Sequence, residues 1–501
     1  MGALQAYGAQ LALGRAPGAS SGYGPLVAKP AQNDPAHMLR LPAAFNFEVL
    51  SRQGLPMSDG NPTPGIFDGM GSYPTGRDEL TILIRNHENR RRVGEIPVQV
   101  PADKRYDADP TYNGGDTKLV VQRRRDGRNP DRTARYTYRV LRDFAILGGT
   151  DTNCAGGVIG DQWYTCEETV NRGATGLKHG YNFAIPAYAD GPVEAVPLPS
   201  QGRFVHEAVA ELAGILYETE DRSIAADPTA PAVTGNPDRK PLVGAGFYRF
   251  VPHRRREFEG PGRLQALALR DEFHANMNSG RTVGRPYRVD WVDVPEPDHD
   301  DDTDNRRDRV AGFTPVAIQA QDRGAAFFQR EEGIWTADGG GRGDDDGRGA
   351  GKVYFDCTSG GAAGSGQVWE YDPRRETITL IFESPGPAVL ESPDNVVIVP
   401  RTGDIFLQED SSGEQFIRGV TTRGEIYDFA ATVTNDTEFC GGCFDADGRT
   451  LFVSQQGDRF GEGAPGQVPP GDLQGAPENR AVTYAIYGPF EARAGRRRDD
   501  D

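Results

Sequence analysis

Two stretches near the C-terminus, VVIVPRTGDIFLQ (396–408) and FDADGRTLFVSQ (444–455), decide the fold. In each, an apolar strand enters a P-x-x-G or D-x-x-G turn and returns as a second apolar strand. Such a turn makes the two strands antiparallel neighbours, and its recurrence at blade-like intervals is the signature of a β-propeller. Sandwiches and barrels use similar hairpins and stay open as alternatives. Upstream the same grammar continues: FNFEVLSRQG (45–54), ELTILIRNHE (79–88), TKLVVQRRR (117–125) and RYTYRVLRDFAIL (135–147) are β-branched or aromatic runs set between Gly, Pro and Asp clusters. No long helical period separates them, so an all-β chain without parallel crossovers is expected. Composition agrees. Gly 64 and Pro 37 make about a fifth of the 501 residues, which excludes a coiled coil and disfavours helical bundles.

The pattern gives an extended N-terminal arm over 1–44, one propeller domain over 45–490, and a disordered tail over 491–501. Segments 292–309 and 336–352 are dense in Asp, Gly and Arg and read as solvated insertions. Asp298, Asp300 and Asp302 alternate as calcium-loop ligands do, but the loop glycine and terminal Glu are missing. The net charge of −18 opposes sequence-independent binding to nucleic acid or anionic membranes, and no nucleic acid is expected as a specific partner. No window approaches a membrane span. No export signal is visible, although the Ala- and Gly-rich residues 1–20 resemble the end of a leader.

The chemistry lies in short acidic motifs. RNHE (85–88), NCAGG…YTCEE (153–168), GRFVHEAVAE (202–211) and QREEGIW (329–335) place carboxylates beside Gly, Asn, His or Cys, and SPDN (392–395), LQED (407–410) and NDTEFCGG (435–442) add more. Glu207 sits in an otherwise apolar run, where burial demands a compensating cation. Cys154 is either a buried structural thiol or a thiolate that its small following residues expose to a large group. Cys440 and Cys443 lack a second CxxC or a His pair, so zinc is disfavoured. With about eight carboxylate motifs and 7 His, a multi-metal site here is mainly oxygen-ligated and suits calcium or ferric iron.

The motifs LPAAFNFEVLSRQGLPMSDG, DGM, RNHE, YNGGDTKLVV, NCAGG…WYTCEE, GRFVHEAVA, GFYRF, REEGIW, SPDN, EFCGGCFDADGRTLFVSQQ and YAIYGPF, in that order across 22–490, resemble the PhoX-type alkaline phosphatases. The resemblance implies an exported β-propeller enzyme, monomeric, that hydrolyses phosphate monoesters with a ferric pair and calcium ions. Carried over by motif, Cys154 resembles the thiolate bridging the iron pair, and Glu207 and Glu332 its carboxylate ligands. Arg330 resembles the cation that meets substrate phosphate. Glu88 and Glu167 resemble calcium ligands, and Asp394 and Glu438 fall in motifs of the same cluster. Two departures stand out: a short spacing from Cys154 to Glu207, and Ile159-Gly160-Asp161 in the place of a TPWG run. The chemistry is coherent, because a phosphate dianion reaches a carboxylate-lined pocket only when metals reverse its charge, and a metal-activated oxygen then attacks in line. The alternatives are another calcium-dependent propeller hydrolase, phytase-like or lactonase-like, which has no use for Cys154, and a propeller kept as a binding module. For Arg330 the plain alternative is an ion pair with Glu331 on a blade surface.

Overall fold

A computed structural model of the chain describes residues 22–92, 94–130, 132–174, 176–226, 241–299, 315–337, 351–411, 413–457 and 480–491. The cores of the two insertions (300–314 and 338–350) and the tail beyond 491 lie outside these residues. Among the described residues the regular structure is almost entirely antiparallel strand, with one α-helix, Pro315–Asp322. By internal packing it divides into two compact units, one formed by Cys166–Ala184 and Val196–Pro393, the other by Gly14–Thr165, Ile185–Ala195 and Asp394–Asp501.

In the second unit, Phe67–Pro74, Leu80–His87, Gly114–Arg128 and Ala134–Thr150 form a four-stranded meander. Leu83, Leu119 and Val121 line one face and Ile84 the other, all at or near zero exposure, so the sheet is buried on both sides there. A second four-stranded sheet joins the two ends of the chain: Asn46–Arg52 pairs with Val482–Tyr487, which pairs with Thr450–Gln455 and then Phe439–Phe444. An early strand thus completes a late sheet, which ties the two ends of the chain together as in a closed β architecture. The arm read as extended supplies two strands, Leu26–Pro30 and Met38–Pro42, and the latter pairs with Ile426–Thr432. Leu39 and Leu41 are fully buried there. Beside them Tyr23, Phe45, Phe406, Phe429 and Phe490 pack edge-on or stacked, the rings of Phe406 and Phe429 4.5 Å apart.

The D-x-x-G turn behaves as its sequence requires. Asp445 accepts the backbone N–H of Arg449 and Thr450, and Gly448 takes φ +68°, a conformation that favours glycine. Arg123, from the meander, donates to Asp445 and, at 2.6 Å, to Asp447. Its side chain is only 13% exposed. Arg123→Ala would leave Asp445 buried without its cation, so a loss of about 3 kcal/mol is expected. Thermal or denaturant unfolding measures it; a loss below about 1 kcal/mol would show a solvated surface pair instead.

The first unit is dominated by a nine-stranded sheet that runs from His206–Leu212 through Ile215–Glu220, Tyr248–Pro252, Gly262–Leu269, Pro286–Asp293, Thr377–Glu383, Gln367–Asp372 and Lys352–Cys357 to Glu331–Ala337. Thr219 Oγ1 donates to the Glu332 carbonyl at 2.6 Å, linking the second strand of that order to the last. Phe204, Tyr248, Leu264 and Ala266 pack against Val316 and Ala320 of the helix.

Candidate metal centre

In the second unit the second residue of one strand, the residue just past another and the second residue of a third bring Asp68, Glu88 and Cys154 together. Their ligand atoms lie within 4.8 Å of one another and all three residues are buried. Close approach is built into the glycines. A Cβ at Gly69 would meet Ala155 Cα at 2.6 Å, and one at Gly156 would meet the Tyr164 carbonyl at 2.1 Å. The small residues after Cys154 therefore admit neighbouring backbone, where the sequence reading had them admit a large group.

Polar side chains hold this trio. Gln456 Nε2 donates to Asp68 Oδ2 at 3.0 Å and Glu88 Oε2 at 2.9 Å, and Arg90 pairs with Glu88. His87 is occupied elsewhere: Nδ1 donates to the Gly65 carbonyl, and Nε2 meets the Thr117 hydroxyl. Burial and the nearby Arg85 push its pKa well down, so it stays neutral. Two carboxylates and a thiol packed this tightly out of water fit a cation, with hard oxygen donors and one soft sulfur. Asp394 and Glu438 belong to the same unit. Asp394 Oδ1 accepts from Asn395 Nδ2, whose Oδ1 takes the Gly441 N–H, and the Glu438 carbonyl accepts the Gln456 N–H. All five cysteines are buried; Cys440 Sγ contacts the Phe67 carbonyl at 3.0 Å.

In the first unit, oxygens of Glu207 lie within 4.8 Å of Glu168 and of Glu332. Glu207 and Glu332 come from bulged starts of their strands, where the register slips between His206 and Val209 and between Glu331 and Ile334. An irregular strand end re-aims side chains, and here it places two carboxylates where a regular ladder would not. Arg330, two residues before Glu332, has φ +51°, costly for a residue with a Cβ. Its Nε and Nη2 grip Asp221 at 2.9 Å each, and Nη2 also pairs with Glu332 at 2.9 Å. The alternative of a surface pair with Glu331 does not hold, because Glu331 is fully buried next to Glu220. Burial, then the charge of Glu168, raise the Asp221 carboxyl to about 6, with Arg330 opposing. Glu167 is held by His179 Nδ1 at 2.7 Å and by the N–H groups of Gly180 and Tyr181.

Burial raises Glu220 to about 7, against the N–H of Gly246 and the hydroxyl of Tyr248, which favour its ionised form. A carboxyl with a raised folded pKa stabilises most below about 4.5 and loses that contribution as pH climbs to about 7. Glu220→Gln should remove this fall, so its melting temperature at pH 8 should exceed that of the unsubstituted protein while the two converge at pH 5. Parallel melting curves at both pH values would refute the sign.

Sequence reasoning missed Asp68, Glu168, Asp221 and Gln456. The first lies in DGM, the second follows Glu167, and the last ends VSQQ, so each stood inside or beside a quoted motif. Asp221 had no motif and is visible only through the arginine that it grips.

Antiparallel sheets that bury carboxylates in groups, one with a thiol and the other with an arginine, are the parts of a metal-dependent phosphoesterase. The alkaline phosphatase PhoX family profile matches residues 21–458, and the chain belongs to that family. It is a metal-dependent phosphomonoesterase of β-propeller fold. Among solved structures it is similar to Pseudomonas fluorescens PhoX in complex with vanadate, a transition state analogue, at 16% identity and TM-score 0.61, over 96% of this chain and 100% of that one. A WD40 propeller domain of Doa1 aligns at 7% identity and TM-score 0.33, over 88% of this chain and 97% of that one. No curated protein matches the chain. The family is typically extracytoplasmic, and no helix among the described residues is long and apolar enough to cross a membrane.

Proposed function

We propose that this protein is an exported, monomeric phosphatase that releases phosphate from small phosphate monoesters with ferric iron and calcium. The observation that carries this reading is the burial of Asp68 and Glu88 against Cys154 within 4.8 Å, which joins hard oxygens to one soft sulfur. By family resemblance Cys154, Glu207 and Glu332 are assigned to iron and Glu88 and Glu167 to calcium, while Asp394 and Glu438 are counted among the metal ligands without a named ion. Asp68 and Glu168 join these sets by position. Bound cations would supply Lewis acidity and neutralise the substrate dianion. The chain's own residues do the rest. Gln456 holds two carboxylates in place, and Asp221 fixes the plane of the Arg330 guanidinium, which can then meet phosphate oxygens as a planar donor.

Chelation tests the calcium assignment. A calcium-selective chelator should inactivate the enzyme and lower its melting temperature, calcium should restore both, and zinc should not, because oxygen sites hold calcium by charge and ligand number. Unchanged activity and melting temperature would remove Glu88 and Glu167 from the calcium set.

A further inference from the structure

Cys154 is second in the strand Asn153–Ile159 and almost fully buried. In a regular strand, successive carbonyls point to opposite sides. Here they do not. The Nδ2 of Asn86 donates to the Cys154 carbonyl at 2.8 Å and to the Ala155 carbonyl at 2.7 Å. One nitrogen that gathers two consecutive carbonyls bends the backbone at Cys154 and so sets the direction of its thiol. Asn86 is itself fixed, because its Oδ1 accepts the indole N–H of Trp163 at 2.7 Å. All three residues are within 5% of complete burial.

The strand is held at its start as well. Asn153 Nδ2 donates to Thr165 Oγ1 at 2.9 Å, and its Oδ1 accepts from Thr150 Oγ1 at 2.6 Å. The amide of Asn86 thus spends both N–H groups and its oxygen inside the protein, with none aimed at solvent or substrate. Its motif, RNHE, delivers Glu88 two residues later to the same trio. One strand end therefore carries a proposed ligand and, through Asn86, orients another.

Resting on the metal-ligand reading of Cys154, we infer that Asn86 is a positioning residue: its amide clamp on the Cys154 and Ala155 carbonyls, locked by Trp163, presets the thiolate for metal. Asn86→Asp is the sharpest probe. Aspartate keeps an acceptor for Trp163 but loses both donors and turns an oxygen toward two carbonyls. Trp163→Phe, which removes only the lock, is the milder probe should Asn86→Asp not fold.

The test measures metal retained per chain by elemental analysis across a graded EDTA series, together with the visible spectrum, kcat and KM. Loss of an orienting partner costs about 10- to 100-fold in metal affinity. Asn86→Asp should therefore release metal at EDTA concentrations lower by about that factor, with a weakened or shifted visible band and a fall in kcat at unchanged KM. Trp163→Phe should shift in the same direction by less. Arg123→Ala, which destabilises the same unit elsewhere, should keep metal and spectrum, whereas a merely structural role for Asn86 would make these variants behave alike and overturn the clamp. If both clamp variants retain metal as the unsubstituted protein does while Cys154→Ala does not, the clamp is wrong and the ligand reading stands. If Cys154→Ala also retains its metal and spectrum, both are wrong.

Discussion

Cys154→Ala should abolish the visible absorption and reduce phosphatase turnover by more than about 100-fold, since loss of a mere outer partner of a ligand already costs about 10- to 100-fold. The fold should survive. A methyl group fits where a buried thiol sat, and the strand is held by the Asn86 and Asn153 hydrogen bonds, which use backbone and neighbouring side chains. Far-UV circular dichroism and a melting curve check the fold; steady-state kinetics and metal analysis check the role. Wild-type turnover at equal metal content would leave Cys154 as core filler.

Arg330→Lys should raise KM for a phosphate monoester and lower kcat together, with a loss on the order of 10- to 1000-fold in kcat/KM, as for removal of other preorganised donors. Asp221 clamps the Nε/Nη2 edge of the guanidinium. An ammonium retains the charge but cannot be held in a plane by that carboxylate while also forking onto two oxygens. Both parameters move because charge redistributes on the transferring group between ground and transition state. Glu331→Gln is the control. Burial, then the neighbouring Glu220, push the Glu331 carboxyl well up, so the neutral amide resembles the form already present, and kinetics should barely change. Small, equal effects in the two variants would reduce Arg330 to an ion-pair partner.

Strand positions were legible because a period of two with β-branched runs is a local signal: ELTILIRNHE became Leu80–His87, and RTLFVSQQ became Thr450–Gln455. The helix Pro315–Asp322 was not, since eight residues next to an Asp-rich run carry too little periodicity to register. At the site, residues in distinctive words drew attention in the sequence and those brought in by three-dimensional approach did not. Glu207 announced itself as a carboxylate in an apolar run. Asp68 did not, because its proximity to Glu88 and Cys154 depends on the strand approach that Gly69 permits, and no spacing along the chain encodes that. The plain alternative for Arg330, an ion pair with the adjacent Glu331, gives way to Asp221, to which no spacing along the chain points. Glu331 and Glu332 are both buried, and the bulge between Glu331 and Ile334 aims their side chains differently, which leaves little trace in sequence.

The central claim is that buried carboxylates and one thiolate hold iron and calcium. Elemental analysis of the purified, active protein, with its visible spectrum, tests it most directly. Iron and calcium present together with a thiolate-to-iron charge-transfer band that disappears in Cys154→Ala is the predicted result. Full phosphatase activity in colourless protein that contains neither iron nor calcium would contradict it.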